Sequence, residues 1–526
     1  MQIKPKSKTK FCINPPMPSL YSALGMAAAF YALPFIYSFI LVLLILFAVI
    51  VSVFRALPQG GAVGGPVGTG GGALPWGGPV GTGGLLVRKA GIIAAALAIG
   101  FSLGIAARRS IPAEAEFGIP AENISSIRGI LLEDPRTLQG GSGISALELL
   151  ASGSGPNEGL RVSSRGRITV FFPPDSIPRL REFGRGSEVF LEGSIRTGDR
   201  GPVFSASSVH IMKSASPLQT FRTGLRIAII EAFGNYGGTG RGQGGADWTG
   251  LASALVLGVR DDLDVNLSDG FRDAGASYVL ALSGMHLAII SGALAFLIRR
   301  PLGIRGASIV GALFVLVYIF IAGPQPSLVR SGIMYFIGVI AILGLLKRDS
   351  LSILCFAFII QLIFQSETGL SLSFIFSYLA LFGILTLGQV IRSLFKGYLP
   401  DILNNSLSAS LGAFIVTAPV ILFYFGSLRP IGIIAGPIIA LIASPFIILS
   451  IVALPGGFTP LLPIFDFILD KIYSLIVITV NLAAGVPGIR ISNPLPGLLC
   501  SALLCLLLYF VEWKINLYRN RIESFN

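Results

Sequence analysis

The sequence predicts a polytopic α-helical membrane protein of about 11–12 spans with a small all-β domain inserted between them. Three observations predict it. Mean hydropathy is +0.78, and only 12% of the 526 residues are charged. That combination belongs to multi-spanning membrane proteins and excludes an ordinary soluble enzyme. Long apolar runs recur along the chain, nine of them after Ala274. Between residues 113 and 213 the pattern changes to short alternating stretches separated by polar, glycine-rich connections.

The charge is as uneven as the hydropathy. The formal net charge is +13. Residues 1–112 hold nine Lys/Arg and no acid; residues 113–213 and 214–273 are slightly acidic; residues 274–526 carry +7. The excess therefore lies in the membrane regions, where basic loops orient the spans. A nucleic-acid partner is the sharper reading, and net charge alone does not establish it. The four cysteines, Cys12, Cys355, Cys500 and Cys505, form no disulfide or zinc pattern. With His210 and His286 the only histidines, no metal or cofactor is expected.

Residues 1–112 open with a basic tail carrying Lys4, Lys6, Lys8 and Lys10, followed by about three membrane segments. No cleavage site is read after the tail. Leu20–Phe54 would reach about 50 Å as one helix, too long for a core of about 30 Å. Pro34 offers a break, giving two short spans or a re-entrant hairpin. The insert 55–84 is flexible in composition, and Gly64-Gly-Pro-Val-Gly-Thr-Gly-Gly71 recurs as Gly77–Gly84. Ala90–Ala107 is just long enough to span.

In 113–213, Ile124–Leu132, Leu160–Phe172, Ser187–Thr197 and Gly201–Met212 read as strands, enough for a small OB-like barrel. Arg161, Arg165, Arg167, Arg179, Arg181 and Arg185 face only Asp175 and Glu182 in that stretch, which makes them a possible DNA-contact patch. The net charge of the region favours a solvated surface instead. Phe171 and Phe172 read as core. Residues 214–273 form a linker. Within it Leu218–Tyr236 is amphipathic, with Arg222 and Arg226 suited to the membrane interface. Gly237–Gly250 reads as a flexible loop, and Leu251–Gly258 is too short to span. The cluster Asp261, Asp262, Asp264, Asp269 and Asp273 has no metal-loop spacing and reads as a polar mouth or solvated turn.

The helical membrane domain covers 274–512, with a tail at 513–526. Its apolar segments are 274–298, 306–322, 327–346, 351–364, 369–391, 405–425, 431–454, 463–486 and 494–512. The fourth is short and reads as broken or re-entrant. Ten basic residues fall in the loops and tail of one side and only Arg429 and Arg490 on the other, placing both termini in the cytoplasm and 113–273 outside. Within Leu280–Gly292, Gly284, Ala288, Ser291 and Gly292 share one helical face suited to close packing, and Ser283 and His286 lie three apart on another. A histidine here serves as an interhelical hydrogen-bonding group or as the lining of a polar path. Arg330, near the start of its segment, either snorkels to the headgroups or lines that path. Ser373 and Ser377 form a short polar stripe.

Ala254-Leu-Val-Leu-Gly-Val-Arg260 and Phe271–Gly292, with its Ser283-Gly-Met-His286, resemble the ComEC family of DNA-internalisation competence proteins. Met285 stands where that family has Leu. Val329-Arg-Ser-Gly-Ile-Met334 is similar to its Ile-Arg-Ala segment, and Leu370–Phe374 to its Gln-Leu-Ser-Phe segment with Ser371 for Gln. The Pro419, Tyr424–Phe425 and Ala435–Pro437 region also resembles it, with Gly432 where Asn is common, and Arg185-Gly-Ser-Glu188 resembles a Gly-Asp turn with Ser187 for Asp. The resemblance covers roughly residues 20–512. It implies an inner-membrane channel for single-stranded DNA during transformation, with pore or DNA-path residues among Ser283, Gly284, His286, Arg330, Ser373 and Ser377. It also implies a separate DNA receptor, nuclease and cytoplasmic motor, and a possible homodimer. Many members carry a C-terminal metallo-β-lactamase-like nuclease domain. This sequence shows no histidine cluster for one, so no enzymatic activity is expected.

The alternative is a membrane transporter or membrane-embedded enzyme of another substrate, with His286, Ser283 and Asp273 as an acid–base group. Asp273 would lie about 15–20 Å along a continuous helix from the other two, which argues against a triad.

Overall fold

The computed structural model describes residues 18–32, 115–138, 141–154, 161–198, 201–234, 248–345, 349–454 and 462–490, with isolated positions between 102 and 108. The basic tail, most of Leu20–Phe54, the glycine insert 55–84, nearly all of Ala90–Ala107, the segment 494–512 and the tail 513–526 lie outside the described residues.

Contacts divide the chain into two bodies, one of Met1–Ile111 with Arg348–Gly369, the other of Pro112–Lys347 with Leu370–Asn526. In the first, helix Pro18–Ala32 ends two residues before Pro34 and packs on helix Ser350–Phe364. Tyr21, Met26, Cys355, Ala357 and Leu362 are buried. Asp349 caps the second helix by accepting from the Ser352 N–H at 2.7 Å. At 15 residues that helix is about 22 Å long, short of a bilayer core, as the sequence leads one to expect.

The second body begins with a barrel. Its strands are β1 Ser126–Leu131, β2 Arg136–Thr137, β3 Gly143–Gly153, β4 Arg161–Ser163, β5 Arg167–Phe172, β6 Glu188–Gly198 and β7 Gly201–Lys213. β1 pairs antiparallel with β6 and β3, β6 with β7, and β3 with β5, while β5 runs parallel to β7. The circuit closes, so β1, β3, β5, β6 and β7 leave no free main edge. Helix Ile177–Phe183 lies between β5 and β6. This is the OB-like barrel the strand pattern predicts. Two details differ. β3 was not among the expected strands, although its burial alternates over 11 residues around Leu147 and Leu149. The expected strand Leu160–Phe172 is interrupted, because Ser164–Gly166 turns between β4 and β5. Ile127, Leu147, Ile168, Val170, Phe172, Val189, Leu191 and Phe204 fill the interior; Phe172 is core as predicted, and Phe171 is half-buried.

The strand registers split the expected arginine patch. Arg161 pairs with Gly153, and Gly153 with Ser126, so β4 and the start of β5 lie at the end of the barrel where β1 begins. Arg161, Arg165 and Arg167 belong to that end. β5 then carries the chain about 20 Å to the opposite end before Arg179, Arg181 and Arg185 occur. The six do not form one surface.

The barrel leads directly into helix Pro217–Gly234 and then the membrane helices. Six described helices are long and apolar enough to cross a bilayer: Gly284–Ala322, Pro326–Leu343, Leu372–Leu394, Asp401–Phe425, Gly432–Ala453 and Pro463–Ala484. Gly284–Ala322 holds the larger part of the segment expected at 274–298 and all of the one expected at 306–322. A straight helix of its 39 residues would be about 58 Å long. Yet Ser327 Oγ donates to the Leu282 carbonyl at 2.6 Å, so the chain doubles back. The reversal falls at Gly303, φ +65°, two residues after Pro301. Phe296, Leu297, Leu313, Ile340, Leu441 and Leu482 project from the bundle, as lipid-facing side chains do.

Other expectations change. Helix Trp248–Leu257 is almost wholly buried, and the Trp248 indole donates to Asp466 at 2.7 Å; Trp248 starts a core helix and does not belong to a loop. The segment expected from 274 begins instead with the short helix Ser277–Leu280, which follows helix Val265–Asp273, and the bilayer helix starts only at Gly284. Ala288 and Gly292 are exposed, so the small-residue face is not a continuous packing seam. The acidic cluster is largely engaged: Asp264 caps the Val265 helix, Asp261 bonds the barrel, and Asp273 pairs with Arg429 at 2.8 Å. That last pair puts Arg429 on the side of residues 113–273, as the loop charges predict.

Candidate functional site

Three helix segments converge near the barrel-side end of the bundle. The first is the start of the Gly284 helix. Ser283 is its N-cap and accepts from the Met285 N–H at 3.3 Å, while His286 Nδ1 accepts from the Ser283 N–H at 3.1 Å. Ser283 and His286 are thus a capping pair at a helix start, not two groups on the side of a continuous helix. Because Nδ1 accepts a backbone hydrogen bond, the imidazole is neutral with its proton on Nε2. His286 is fully buried; no hydrogen bond of ordinary geometry reaches Nε2 among the described residues, although the ring also interacts with the Val279 backbone.

The second is the start of helix Pro326–Leu343, which carries Arg330 and Ser331. Arg330 is 8% exposed and does not snorkel. Its Nη1 donates to the Ser377 carbonyl, its Nη2 to Ser331 Oγ at 3.3 Å, and the guanidinium lies 5.9 Å from the Tyr378 ring centroid. Its Nε has no partner, and no carboxylate pairs with it among the described residues. The third segment is helix Leu372–Leu385, which supplies Ser377 and Tyr378. Ser377 Oγ is buried and also without a partner.

Gly284 permits the convergence. A methyl group on its Cα would lie 2.2 Å from Ser331 Oγ and 3.0 Å from Arg330 Nη2. Any side chain there would displace the guanidinium. Of the six expected path residues, Gly284, Arg330 and Ser377 therefore meet in one cluster, Ser283 and His286 form the cap of the helix that Gly284 begins, and Ser373 is exposed one turn away. Sequence reasoning missed Ser331 and Tyr378, whose only signal was adjacency to Arg330 and Ser377. The acid–base alternative loses its third member, since Asp273 faces Arg429.

A second polar cluster joins barrel and membrane helices. Arg222 is 3% exposed. Its Nη2 and Nη1 donate to the Asp134 carboxylate at 2.7 and 3.2 Å, and its Nε to the Phe320 carbonyl at 2.7 Å. Arg226 Nη1 donates to the Ala322 and Ile321 carbonyls at 2.8 and 3.2 Å and lies 3.4 Å from Asp134. Burial pushes the Asp134 carboxyl up, but the Arg222 hydrogen bond and the charges of Arg226 and Arg222 act against it and hold it below the usual carboxylate range. Nearby, Arg181 bonds Asp261 and Thr137 Oγ1, each at 2.6 Å, and the Thr137 N–H donates to Asp261 at 3.0 Å. Arg222 and Arg226 therefore face a carboxylate and a helix C-terminus, not lipid headgroups, and Arg181 is committed to an ion pair.

Fold and sites define a polytopic membrane protein with a docked OB-like barrel and a buried cationic cluster behind it. Residues 255–517, half of the chain, match the family described as Competence protein, and the chain belongs to that family. It is similar to the ComE operon protein 3 of Bacillus subtilis (strain 168), 30% identical over 185 residues, which are 34% of this chain and 23% of that protein. A protein of Aquifex aeolicus (strain VF5) described as uncharacterized is 27% identical over 185 residues, 35% of this chain and 42% of that one. The chain thus covers less than half the length of either relative.

Proposed function

We propose that the protein is an inner-membrane channel for uptake of single-stranded DNA during natural transformation, and that it has no catalytic step of its own. The observation that carries this reading is Arg330. A buried guanidinium without a counter-charge is costly, by several kcal/mol in a low-dielectric interior. An anion arriving beside it relieves that cost. A fixed carboxylate would relieve it permanently and leave nothing for a passing phosphate. The Ser377 hydroxyl, on the residue whose carbonyl accepts from Arg330 and itself without a partner, supplies a further donor for a phosphate oxygen beside the guanidinium. A neutral donor beside a single cation lets a strand slide where a cluster of cations would hold it.

Membership of the competence family supports DNA as the anion. The outward barrel then lies ahead of the Arg330 cluster on the strand's path, both termini lie in the cytoplasm, and a receptor, a nuclease and a cytoplasmic motor act as separate proteins. The test is Arg330→Ala in cells scored for labelled single-stranded DNA reaching the cytoplasm, with membrane insertion followed by fractionation. Loss of uptake at normal insertion is expected; unchanged uptake overturns the reading. A lone buried cation with a neutral donor would also suit a small anion. Reconstituted vesicles that pass labelled phosphate but no oligonucleotide would favour that transporter reading.

A further inference from the structure

The strand registers place the loop after β1, the start of β3, the ends of β5 and β7 and the Ile177–Phe183 helix at one end of the barrel. Every polar bond described above between barrel and membrane helices comes from that end: Asp134, Thr137 and Arg181. The acceptors on the other side are Asp261 and the last three carbonyls of the Gly284–Ala322 helix. Those carbonyls are the negative end of a helix dipole, and a guanidinium there is favoured. Arg222 and Arg226 sit between: Arg222 donates to the barrel carboxylate through Nη1 and Nη2 and to the Phe320 carbonyl through Nε, while Arg226 Nη1 donates to the Ile321 and Ala322 carbonyls and pairs with Asp134 at 3.4 Å.

Two glycines shape the pocket of Arg222. Gly184, φ +64°, lies where a methyl would be 2.5 Å from Thr223 Oγ1 and 3.4 Å from Asp134 Oδ1. Gly323, φ +100°, lies where a methyl would be 3.2 Å from Arg222 Nη2. Gly323 also ends the helix whose carbonyls accept from the arginines and opens the turn into the helix that carries Arg330, which follows Pro326 by about one helical turn, roughly 6 Å of rise. The anchored carbonyls and the Arg330 cluster are thus joined by one short connection.

We infer that Asp134, Arg222 and Arg226 form a latch that holds the barrel end-on against the membrane domain and positions the Arg330 helix for transport. They are positioning residues and touch no strand themselves. The inference deepens the channel reading and rests on it for the effect on uptake, but the closure of the latch is measurable without DNA.

Thr223 gives the readout, since it is 5% exposed beneath Gly184. The full-length chain is prepared in membranes with its own cysteines replaced by serine and with Thr223→Cys, and alkylation from the outer side is timed. With Asp134 in place labelling is slow. Asp134→Asn should speed it at least about tenfold and lower DNA uptake by a similar factor, and Asp134→Glu should restore much of both. Arg226→Gln, a milder change at the rim of the pocket, should move both readouts in the same direction and serves if Asp134→Asn fails to insert. Labelling as slow in Asp134→Asn and Arg226→Gln as in the parent overturns the latch. Fast labelling with unchanged uptake overturns its role in positioning. If the parent itself imports no labelled DNA, the channel reading fails, while the labelling result still decides whether the latch exists.

Discussion

The molecule buries arginines in two places and surrounds them differently. At the seam between barrel and membrane helices, Arg222 and Arg226 share the Asp134 carboxylate and three helix-terminal carbonyls. In the bundle, Arg330 has one carbonyl, one hydroxyl and one aromatic ring, with no carboxylate among the described residues. The same side chain is therefore structural in the first setting and available in the second. What separates them is the counter-charge, since all three are largely buried.

The comparison can be broken or sharpened by mutation, starting with the largest effect. Arg330→Ala should cut DNA uptake by about 100-fold or more, with thermal stability and insertion near those of the parent, because removing it leaves no opposite charge stranded. Arg222→Ala should do the reverse in order of cause. It strands Asp134 against a single remaining arginine and should cost about 3–5 kcal/mol of stability, read by thermal or denaturant unfolding in detergent, with uptake lost in consequence. If the two substitutions destabilise equally, the distinction fails.

Gly284→Ala comes next. Its methyl must displace Ser331 Oγ or the Arg330 guanidinium, so uptake should fall by about tenfold while the seam stays intact. Ser283→Ala removes one cap acceptor and should cost about 1 kcal/mol with a small effect on uptake, since the Ser283 backbone still donates to His286. The smallest effect is that of pH on the seam. Asp134 is held below the usual carboxylate range, so its contribution is complete above the unfolded value of about 3.9 and declines only as pH falls below it. The stability gap between parent and Asp134→Asn should thus be flat from neutral pH down to about 5 and close below about 4.

The two sites were unequally legible in sequence. Ser283, Gly284, His286 and Arg330 stood out because polar or glycine positions in long apolar runs are expensive and need a reason. Their meeting point was not legible, because nothing in a linear pattern says that residues 284, 330 and 377 touch. Arg222 and Arg226 were visible as an amphipathic stripe, and amphipathicity alone does not tell a headgroup from a carboxylate. Asp134 gave no signal. It is one acid among twelve in residues 113–213, and only the closure of the barrel brings it to the seam. The arginine run 161–185 misled for the converse reason: proximity in sequence was read as proximity in space, across a strand that separates its two halves.

By itself the sequence determined the membrane class, the inserted all-β domain, the shortness of the segment at 351–364 and the polar residues of the bundle. These follow from hydropathy, strand alternation and the cost of burying polar groups, all of which act over a few consecutive residues. Tertiary structure alone decided which arginine is neutralised, which end of the barrel docks, and that Gly284–Ala322 doubles back at Gly303. Each of these depends on partners far apart in the chain, such as Ser327 with Leu282, 45 residues away, Arg222 with Phe320, 98 away, or Thr137 with Asp261, 124 away, which only the closed fold brings together.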